Sequence, residues 1–335
     1  MIIPIFIPHE GCPHCCSFCN QHQISGRIKS SPVDGAEVCE TIETWLGYRR
    51  KTTDKPEVAF YGGSFTGLPL SRQTALLRAV QPFIEQGRVG KIRLSTRPDY
   101  INEAGVDLLQ EHGVRTVELG VQSMNNDVLT RNGRGHSAEN TRAAIHLLRR
   151  KSMNIGVQLM TGLIGDTRLR LMDTVKEVIS LKPDCVRIYP VLVLKGSLLE
   201  KMTKRGEYQP LTLDGAIIQA AWMKKQFDRQ GITVLRMGLQ AGEELENSLI
   251  AGPYHPAFGE LVNGRLMLKK TIELLHSHNS GDKATLCISP RDRSVFQGIG
   301  GCNIKRLTQL GVANNFILTF NSEQPRLTIV LSKSN

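Results

Sequence analysis

The feature that most constrains the fold of this chain is a regular alternation of short β-rich runs with amphipathic segments of helical length. The β-rich runs predict seven strands, at Ile2–Ile7, Val58–Tyr61, Lys91–Ser95, Thr116–Gly120, Asn154–Met160, Cys185–Tyr189 and Thr233–Leu235. Strands joined by helices run parallel, so the pattern predicts one parallel sheet, rolled into a full or partial (β/α) barrel or left open. In either geometry, functional side chains gather at the C-terminal ends of the strands.

The pattern changes near residue 250, where strands and helices no longer alternate. A helix is predicted at Phe258–His276, and strands are predicted at Ala284–Ile288, Phe316–Phe320 and Leu327–Leu331. We therefore predict two units, a (β/α) barrel core over residues 1–250 and a small α+β accessory domain over residues 251–335. The accessory domain has more basic than acidic residues, which makes it a candidate for substrate contact, and the alternative is that it only covers the barrel.

Composition places the chain among globular proteins. Of its 335 residues, 40% are hydrophobic and 22% are charged, which excludes a disordered or collagen-like chain. No apolar run reaches the roughly 18 residues that a membrane span needs. The apolar start lacks a basic lead and a small-residue cleavage site, so it is predicted to be a strand and not a signal peptide. We therefore expect a cytoplasmic protein without membrane contact, in which clustered cysteines favour metal binding over disulfides.

The chain carries a formal net charge of +11, and many of its basic residues occur in small clusters. These basic clusters are Arg49–Lys51, Arg149–Lys151, Lys204–Arg205 and Lys269–Lys270. Cations at helix ends complement the helix dipole, which is one interpretation. The other is a face that binds a polyanion such as RNA, or a phosphate-bearing substrate. The sequence leaves both interpretations open.

The loop after the first predicted strand contains four cysteines within eight residues. Cys12, Cys16 and Cys19 form a C-x3-C-x2-C pattern, which supplies three thiolates to a four-iron cluster and leaves one iron open. The alternative is two C-x2-C pairs, Cys12 with Cys15 and Cys16 with Cys19, at a tetrahedral zinc ion. Adjacent cysteines point apart, and no further pair follows at the spacing of zinc loops. The iron–sulfur interpretation is therefore favoured, with Cys15 as a bystander.

Further motifs follow the predicted strands in order. Two glycines in Phe60–Thr66 end the second strand, where they allow a ligand to approach the backbone closely. The later motifs are Ser95–Asp99, Val117–Ser123, Asn132–His136, Leu159–Leu163, Arg187–Val193 and Lys204–Tyr208. Together with the cysteine loop they resemble the radical S-adenosylmethionine (SAM) superfamily. Over about residues 3–240 the chain resembles the radical-SAM half of the Elongator catalytic subunit family, and no acetyltransferase domain is recognisable.

The resemblance implies a barrel of the radical SAM type that binds a 4Fe-4S cluster through Cys12, Cys16 and Cys19. It also implies SAM contacts at several positions. Gln122 would reach the ribose, and Arg134 would bind the methionine carboxylate through charge-assisted hydrogen bonds. The amino group of SAM would meet the backbone of Gly62, Gly63 and Ser64.

Three further positions complete the SAM site that the resemblance implies. Gln158 would line the adenosine side. Ser95 stands where relatives often carry a Glu that holds the ribose, and its hydroxyl can hydrogen-bond but supplies no charge. Ile164 stands where relatives commonly carry a Pro in the turn near the adenine.

The implied function is reductive cleavage of SAM to a 5′-deoxyadenosyl radical, with the chemistry belonging to the cofactors. No side chain is assigned as a catalytic acid, base or nucleophile. A one-electron donor such as a flavodoxin or ferredoxin would be needed, and a transfer-RNA uridine is a candidate substrate. Two alternatives stay open: a zinc-bearing RNA-binding module, and a scaffold that binds a cluster without cleaving SAM.

Overall fold

A computed structural model describes residues 1–12, 16–20, 24, 32–48, 54–278 and 283–331. Seven parallel strands form one sheet in the order β1-β2-β3-β4-β5-β6-β8, curled into a half-barrel. The strands are β1 (Ile2–Phe6), β2 (Glu57–Tyr61), β3 (Lys91–Thr96), β4 (Val114–Gln122), β5 (Asn154–Thr161), β6 (Cys185–Pro190) and β8 (Thr233–Met237). All seven predicted strands are confirmed, and β1 and β8 lie at the two edges of the sheet.

Helices follow the strands along the chain. They are α1 (Gly35–Gly47), α2 (Leu70–Glu85), α3 (Glu103–Glu111), α4 (Asn126–Arg131), α5 (Ala138–Arg150), α6 (Arg168–Ser180), α7 (Leu198–Lys204) and α8 (Leu213–Arg229). Side-chain caps fix several helix starts, including Asn102 at α3, Thr167 at α6 and a capping box at Ser137 before α5. The short helices α4 and α7 were not predicted, because one or two turns are too short for a periodic apolar pattern.

The main hydrophobic core lies between the sheet and these helices. Val117 and Leu119 of β4 share one buried cluster with helix residues such as Leu77 of α2. Side chains on a strand alternate between its two faces. The intervening Glu118 therefore faces the concave side of the half-barrel, where it meets Arg187 of β6. Polar side chains thus meet on the concave side.

Two smaller sheets accompany the half-barrel. A two-stranded sheet pairs β7 (Val193–Leu194) with β9 (Leu249–Ala251), which follows the short helix α9 (Glu243–Ser248). The C-terminal elements are α10 (Phe258–Ser277), β10 (Ala284–Ile288), α11 (Arg293–Gln297), α12 (Cys302–Gln309), β11 (Phe316–Phe320) and β12 (Val330–Leu331). Strand β10 lies between parallel β11 and antiparallel β12, and these elements enclose a hydrophobic cluster of their own.

One C-terminal strand is shorter than predicted. The sequence predicts Leu327–Leu331, but the paired residues are only Val330–Leu331. Leu327 has a φ of +61°, which interrupts the extended conformation, and its amide donates to the buried Asp292 carboxylate at 2.5 Å. Among the described residues, no helix is both long and apolar enough to cross a membrane.

Candidate active site

Two glycine-containing segments meet where β1 and β2 end. The Ser64 amide donates to the Glu10 carbonyl at 2.9 Å. A Cβ atom on Gly11 would lie 2.1 Å from the Ser64 carbonyl oxygen, and one on Gly63 would lie 2.4 Å from the Glu10 carbonyl oxygen. Only glycine permits so close an approach of two backbones. The start of the cysteine loop is therefore held directly against the Gly62–Ser64 turn.

The buried Ser64 side chain anchors this turn to the end of β3. Its Oγ lies 3.0 Å from Thr96 Oγ1 and accepts the Arg97 amide N–H at 3.2 Å. Burial and the neighbouring Cys16 raise the pKa of Cys12, while two nearby guanidinium groups and the Ser64 amide oppose the rise.

Arg134 connects the cysteine loop to β4. Its Nη1 donates to Cys16 Sγ at 3.0 Å, and its Nη2 donates to the Gly120 carbonyl oxygen at 2.5 Å. Arg134 is 6% exposed, and its Nε has no hydrogen-bond partner among the described residues. A guanidinium beside a thiol favours the thiolate. The pKa of Cys12 is raised overall, and the Arg134 guanidinium beside Cys16 would offset part of the negative charge of thiolate ligands.

The third predicted ligand, Cys19, is half-buried, and its amide donates to the Cys16 carbonyl at 3.0 Å. Cys15, predicted to be a bystander, and the basic cluster Arg49–Lys51 lie outside the described residues. Within the described ranges, no three His, Cys, Asp or Glu side chains gather closely enough to hold a metal ion. The Cys12–Cys16 pair fits an iron–sulfur cluster by the chemistry of its thiols and of the cations beside them.

Gln122 ends β4 in a left-handed conformation that is rare outside glycine. Its φ is +67°, it is 4% exposed, and it follows an irregularity in the pairing of β4 with β5. Such a conformation costs about 1–3 kcal/mol and persists where the surroundings enforce it, often at functional sites. Gln158 Nε2 donates to Gln122 Oε1 at 3.1 Å. A Cβ atom on Gly120 would lie 3.2 Å from Gln122 Nε2 and 3.3 Å from Arg134 Nη2, so the predicted residues 122, 134 and 158 lie together.

Ser95 differs from the other predicted SAM-site residues because its hydroxyl bonds to the neighbouring strand. Ser95 Oγ donates to the Phe60 carbonyl oxygen at 3.4 Å. Among the described residues, it forms no hydrogen bond to another predicted SAM-site residue. The structure places Ser95 on β3, bonded to the neighbouring strand β2.

Asn132 is a buried connector that sequence reasoning missed, although it lies in the Asn132–His136 motif. Its Oδ1 accepts the Ser17 hydroxyl at 3.0 Å and the Ile164 amide at 3.1 Å. Its Nδ2 donates to the carbonyl oxygens of Val128 and Ile164, at 2.7 and 3.0 Å. One fully buried amide therefore ties the cysteine loop to the turn after β5.

The Ile164 departure from the family pattern has a local explanation. Its amide N–H donates to Asn132, whereas a Pro at this position would have no N–H to donate. The flanking Gly162 and Gly165 have φ values of +83° and +76°. The turn therefore keeps its glycine conformations and gains a hydrogen bond to the Asn132 connector.

His136 and Arg97 are two further buried residues that were missed. His136 is 6% exposed, and neither ring nitrogen has a hydrogen-bond partner among the described residues. Burial, with the charges of Arg134 and Arg97, lowers the pKa of His136 to about 3. Arg97 is held by two hydrogen bonds to Asp99, at 3.0 and 2.9 Å. We use the name site edge for the group Cys12, Cys16, Gln122, Arg134 and His136.

Below the site edge, four side chains form an ionic layer inside the half-barrel: Tyr61, Arg93, Glu118 and Arg187. Glu118 accepts from Arg187 Nε at 2.5 Å, from Arg93 Nη1 at 2.9 Å and from the Tyr61 hydroxyl at 3.0 Å. Burial opposes ionisation of Glu118, but the Arg187 hydrogen bond and both guanidinium charges hold the pKa of the carboxyl below its usual value. Burial and the Glu118 charge raise the pKa of Tyr61.

Glu118, Arg187 and Tyr61 all lie in the sequence motifs, but their spacing along the chain did not predict that their side chains contact one another. Glu118 and Arg187 are 69 residues apart in the chain. The alternation of polar with apolar residues along β4 and β6 is the signal that would have placed these side chains on the concave face.

Comparison with known proteins gives the family of the chain. The radical SAM superfamily profile matches residues 6–178, and the profile of the radical SAM C-terminal domain matches residues 183–267. The tRNA uridine(34) acetyltransferase of Methanocaldococcus infernus is 32% identical over 192 residues, which cover 51% of this chain and 36% of that protein. Mouse Elongator complex protein 3 is 24% identical over 178 residues, 47% of this chain and 32% of that protein. The chain thus spans about a third of each of these relatives.

A solved structure agrees in fold over a larger part of the chain. The archaeal Methanocaldococcus infernus Elp3 with an N-terminal deletion superposes with a TM-score of 0.63 and 26% identity. The superposition covers 81% of this chain and 63% of the Elp3 chain. The matched profile covers more than half of the chain, and the parallel half-barrel and cysteine loop agree with it. The chain belongs to the radical SAM superfamily of enzymes and resembles its Elongator-type members.

Proposed function

We propose that this chain binds a 4Fe-4S cluster through Cys12, Cys16 and Cys19, and cleaves SAM reductively at the site edge. The observation that carries the proposal is the meeting of three separate segments at the C-terminal edge of the sheet. The cysteine loop contacts the Gly62–Ser64 turn through its backbone, and Arg134 donates to Cys16. These segments are far apart in the chain, and only the fold brings them into contact.

The residues of the proposed site would contact different parts of SAM. Arg134, with its unpartnered and buried Nε, would bind the carboxylate of SAM, and the turn at Gly62, Gly63 and Ser64 would orient its amino group. Gln122 and Gln158 would hold the adenosine, and Ser95 would contribute only a neutral hydroxyl. A bound 4Fe-4S cluster, once reduced by an external one-electron donor, would supply the electron for reductive cleavage of SAM. The protein keeps these groups oriented and shielded from water.

We further propose a transfer-RNA uridine as the substrate and a flavodoxin or ferredoxin as the electron donor. The names of the acetyltransferase relatives and the net charge of +11 support an RNA substrate. A cytoplasmic location would keep the cysteines reduced. We also propose residues 251–335 as an accessory domain: the hydrophobic cluster around β10 supports it, while Phe258 and Val262 of α10 pack in the main core.

The test is anaerobic reconstitution with iron and sulfide, followed by dithionite and SAM, with 5′-deoxyadenosine measured by chromatography. Wild-type protein should form it, Cys16→Ala should abolish it, and the matched control Cys15→Ala should largely retain it. Equal losses in the two variants would overturn the assignment of ligands. A brown protein that forms no 5′-deoxyadenosine would be a cluster-binding scaffold, and a colourless one that holds zinc would be the RNA-binding module.

A further inference from the structure

A groove on the outer side of the molecule lies between α8 and α10. Its volume is about 480 Å³, and Leu327 and Ile329 of the C-terminal region contribute to its wall. Five basic side chains line it: Lys224, Lys225, Arg229, Lys269 and Lys270. Two acidic side chains, Asp228 and Glu273, also line it. The lining therefore carries an excess of three positive charges.

The excess charge is concentrated on three residues. Lys224 pairs with Asp228 at 2.8 Å, and Lys225 lies 3.5 Å from Glu273. Arg229, Lys269 and Lys270 are exposed and form no ion pair within the described ranges. Adjacent cations without counter-charges repel one another, so they produce a positive potential at the surface. A bound anion would relieve this repulsion.

The other described basic clusters are engaged within the fold. Arg150 and Lys151 pair with Glu103, while Arg149 donates to backbone carbonyls at the end of α6. Lys204 pairs with Glu200, and Arg205 pairs with Glu207. Of the three basic clusters in the described residues, Lys269–Lys270 is the one whose charges are left for a partner. The structure thus separates two interpretations that were equivalent in the sequence.

The chemistry of the groove favours a phosphate backbone over exposed bases. Leu266 and Met267 contribute apolar surface, and no aromatic side chain lines the groove among the described residues. Recognition of single-stranded RNA relies on stacking of bases on aromatic side chains. Paired RNA instead presents its phosphates outward, where Lys and Arg bind them without reading sequence.

A single ligand that occupies both the groove and the site edge must be extended. Helix α8 ends at Arg229, just before β8 begins at Thr233, so this end of the groove lies toward the N-terminal edge of the sheet. The site edge lies at the opposite edge, and a strand of six residues is about 20 Å long. A mononucleotide cannot reach both places, whereas the double-helical arm of a folded RNA can.

We propose that the groove lined by Arg229, Lys269 and Lys270 binds the phosphate backbone of a double-helical RNA arm while another part of that RNA reaches the site edge. This inference rests on the RNA part of the proposed function. It adds a docking surface far from the SAM site, and binding to this surface would not depend on the RNA sequence.

The test measures binding of a fluorescent transfer-RNA transcript to the reconstituted full chain by anisotropy, over a series of KCl concentrations. Lys269→Gln/Lys270→Gln should weaken binding about tenfold at low salt. It should also reduce the slope of log Kd against log [KCl] by roughly one to two units, because each lost phosphate contact no longer releases a counterion. Arg78→Gln/Lys176→Gln removes the same charge from α2 and α6 and should retain wild-type binding.

Two additional measurements make the outcomes distinct. RNA-independent formation of 5′-deoxyadenosine should be equal in wild-type protein and both double variants. A single-stranded RNA of equal length should bind more weakly than the transcript and should be less sensitive to the Lys269/Lys270 change. If both double variants weakened transfer-RNA binding equally, or neither did, the proposal that the groove binds RNA would be wrong. The proposed function would be unaffected. Absence of transfer-RNA binding by wild-type protein that still cleaves SAM would overturn both the groove and the RNA substrate.

Discussion

The site edge and the ionic layer are neighbouring polar regions of one half-barrel, yet they differ in how completely their hydrogen bonds are satisfied. In the ionic layer, both oxygens of Glu118 accept from surrounding donors, and Arg187 also donates to the Tyr61 hydroxyl at 3.1 Å. At the site edge, Arg134 Nε and both nitrogens of His136 are buried without partners among the described residues.

Buried polar groups are nearly always hydrogen-bonded, so an exception calls for an explanation. A self-satisfied network stabilises the fold and offers little to a ligand. Buried donors without protein partners among the described residues, beside the left-handed Gln122, agree with the proposed SAM site. The comparison therefore predicts opposite effects of substitution in the two regions.

The largest effect is expected in the ionic layer. Glu118→Gln removes the negative charge shared by Arg93 and Arg187 and leaves two buried guanidinium groups without it. We expect the free energy of unfolding to fall by about 3–5 kcal/mol, because breaking a buried ion pair strands a charge. Urea denaturation measures this change.

Glu57→Gln is the matched control, because Glu57 pairs with Arg93 at 2.6 Å at a more exposed position. We expect Glu57→Gln to lower the free energy of unfolding by about 1 kcal/mol. In the folded fraction, the affinity for SAM should be unchanged by Glu118→Gln. A stable Glu118→Gln protein with weakened SAM binding would reverse the roles assigned to the two regions.

The next effect is expected at Arg134. Arg134→Gln should weaken SAM binding to the reconstituted protein by roughly 10- to 100-fold, the loss typical of a hydrogen bond to a charged group. Isothermal titration calorimetry with SAM before reduction measures it. Arg131→Gln, on the same stretch of chain but 56% exposed, should bind SAM as wild-type does. If Arg134→Gln instead lowered stability alone, the site edge would be structural like the ionic layer.

The smallest effect concerns pH and His136. Its pKa of about 3 in the folded protein lies below the ordinary value of 6.5, so the unfolded chain binds more protons between these values. The neutral ring contributes fully to the free energy of unfolding above pH 6.5, and this contribution is lost as the pH falls toward 3. At about pH 5, the fold should have lost roughly 2 kcal/mol of this contribution.

Urea denaturation of the metal-free protein at several pH values checks this prediction. His136→Asn, which has no titrating ring, should show a smaller loss of stability between neutral pH and about pH 5. His146→Asn, at an exposed position on α5, should follow wild-type. A pH dependence shared by all three proteins would mean that His136 is protonated as readily in the folded as in the unfolded chain.

Much of the architecture followed from local patterns. The alternation of β-rich and amphipathic segments predicted all seven strands of the half-barrel, because strand and helix periodicities are properties of consecutive residues. The resemblance to radical SAM proteins implied one site for Gln122, Arg134 and Gln158, and these side chains lie together in the structure. Short helices such as α4 and the left-handed Leu327 were missed, because they depend on a single turn or on one tertiary hydrogen bond.

The sequence by itself determined the seven strands, their parallel direction and the residue types available at the edge of the sheet. Only the tertiary structure decided which polar groups have partners, because those partners come from distant parts of the chain. Asn132 meets Ser17 across 115 residues, and Arg134 meets Cys16 across 118. Hydrogen bonds and ion pairs depend on distances of a few ångströms in space, and spacing along the chain does not encode them.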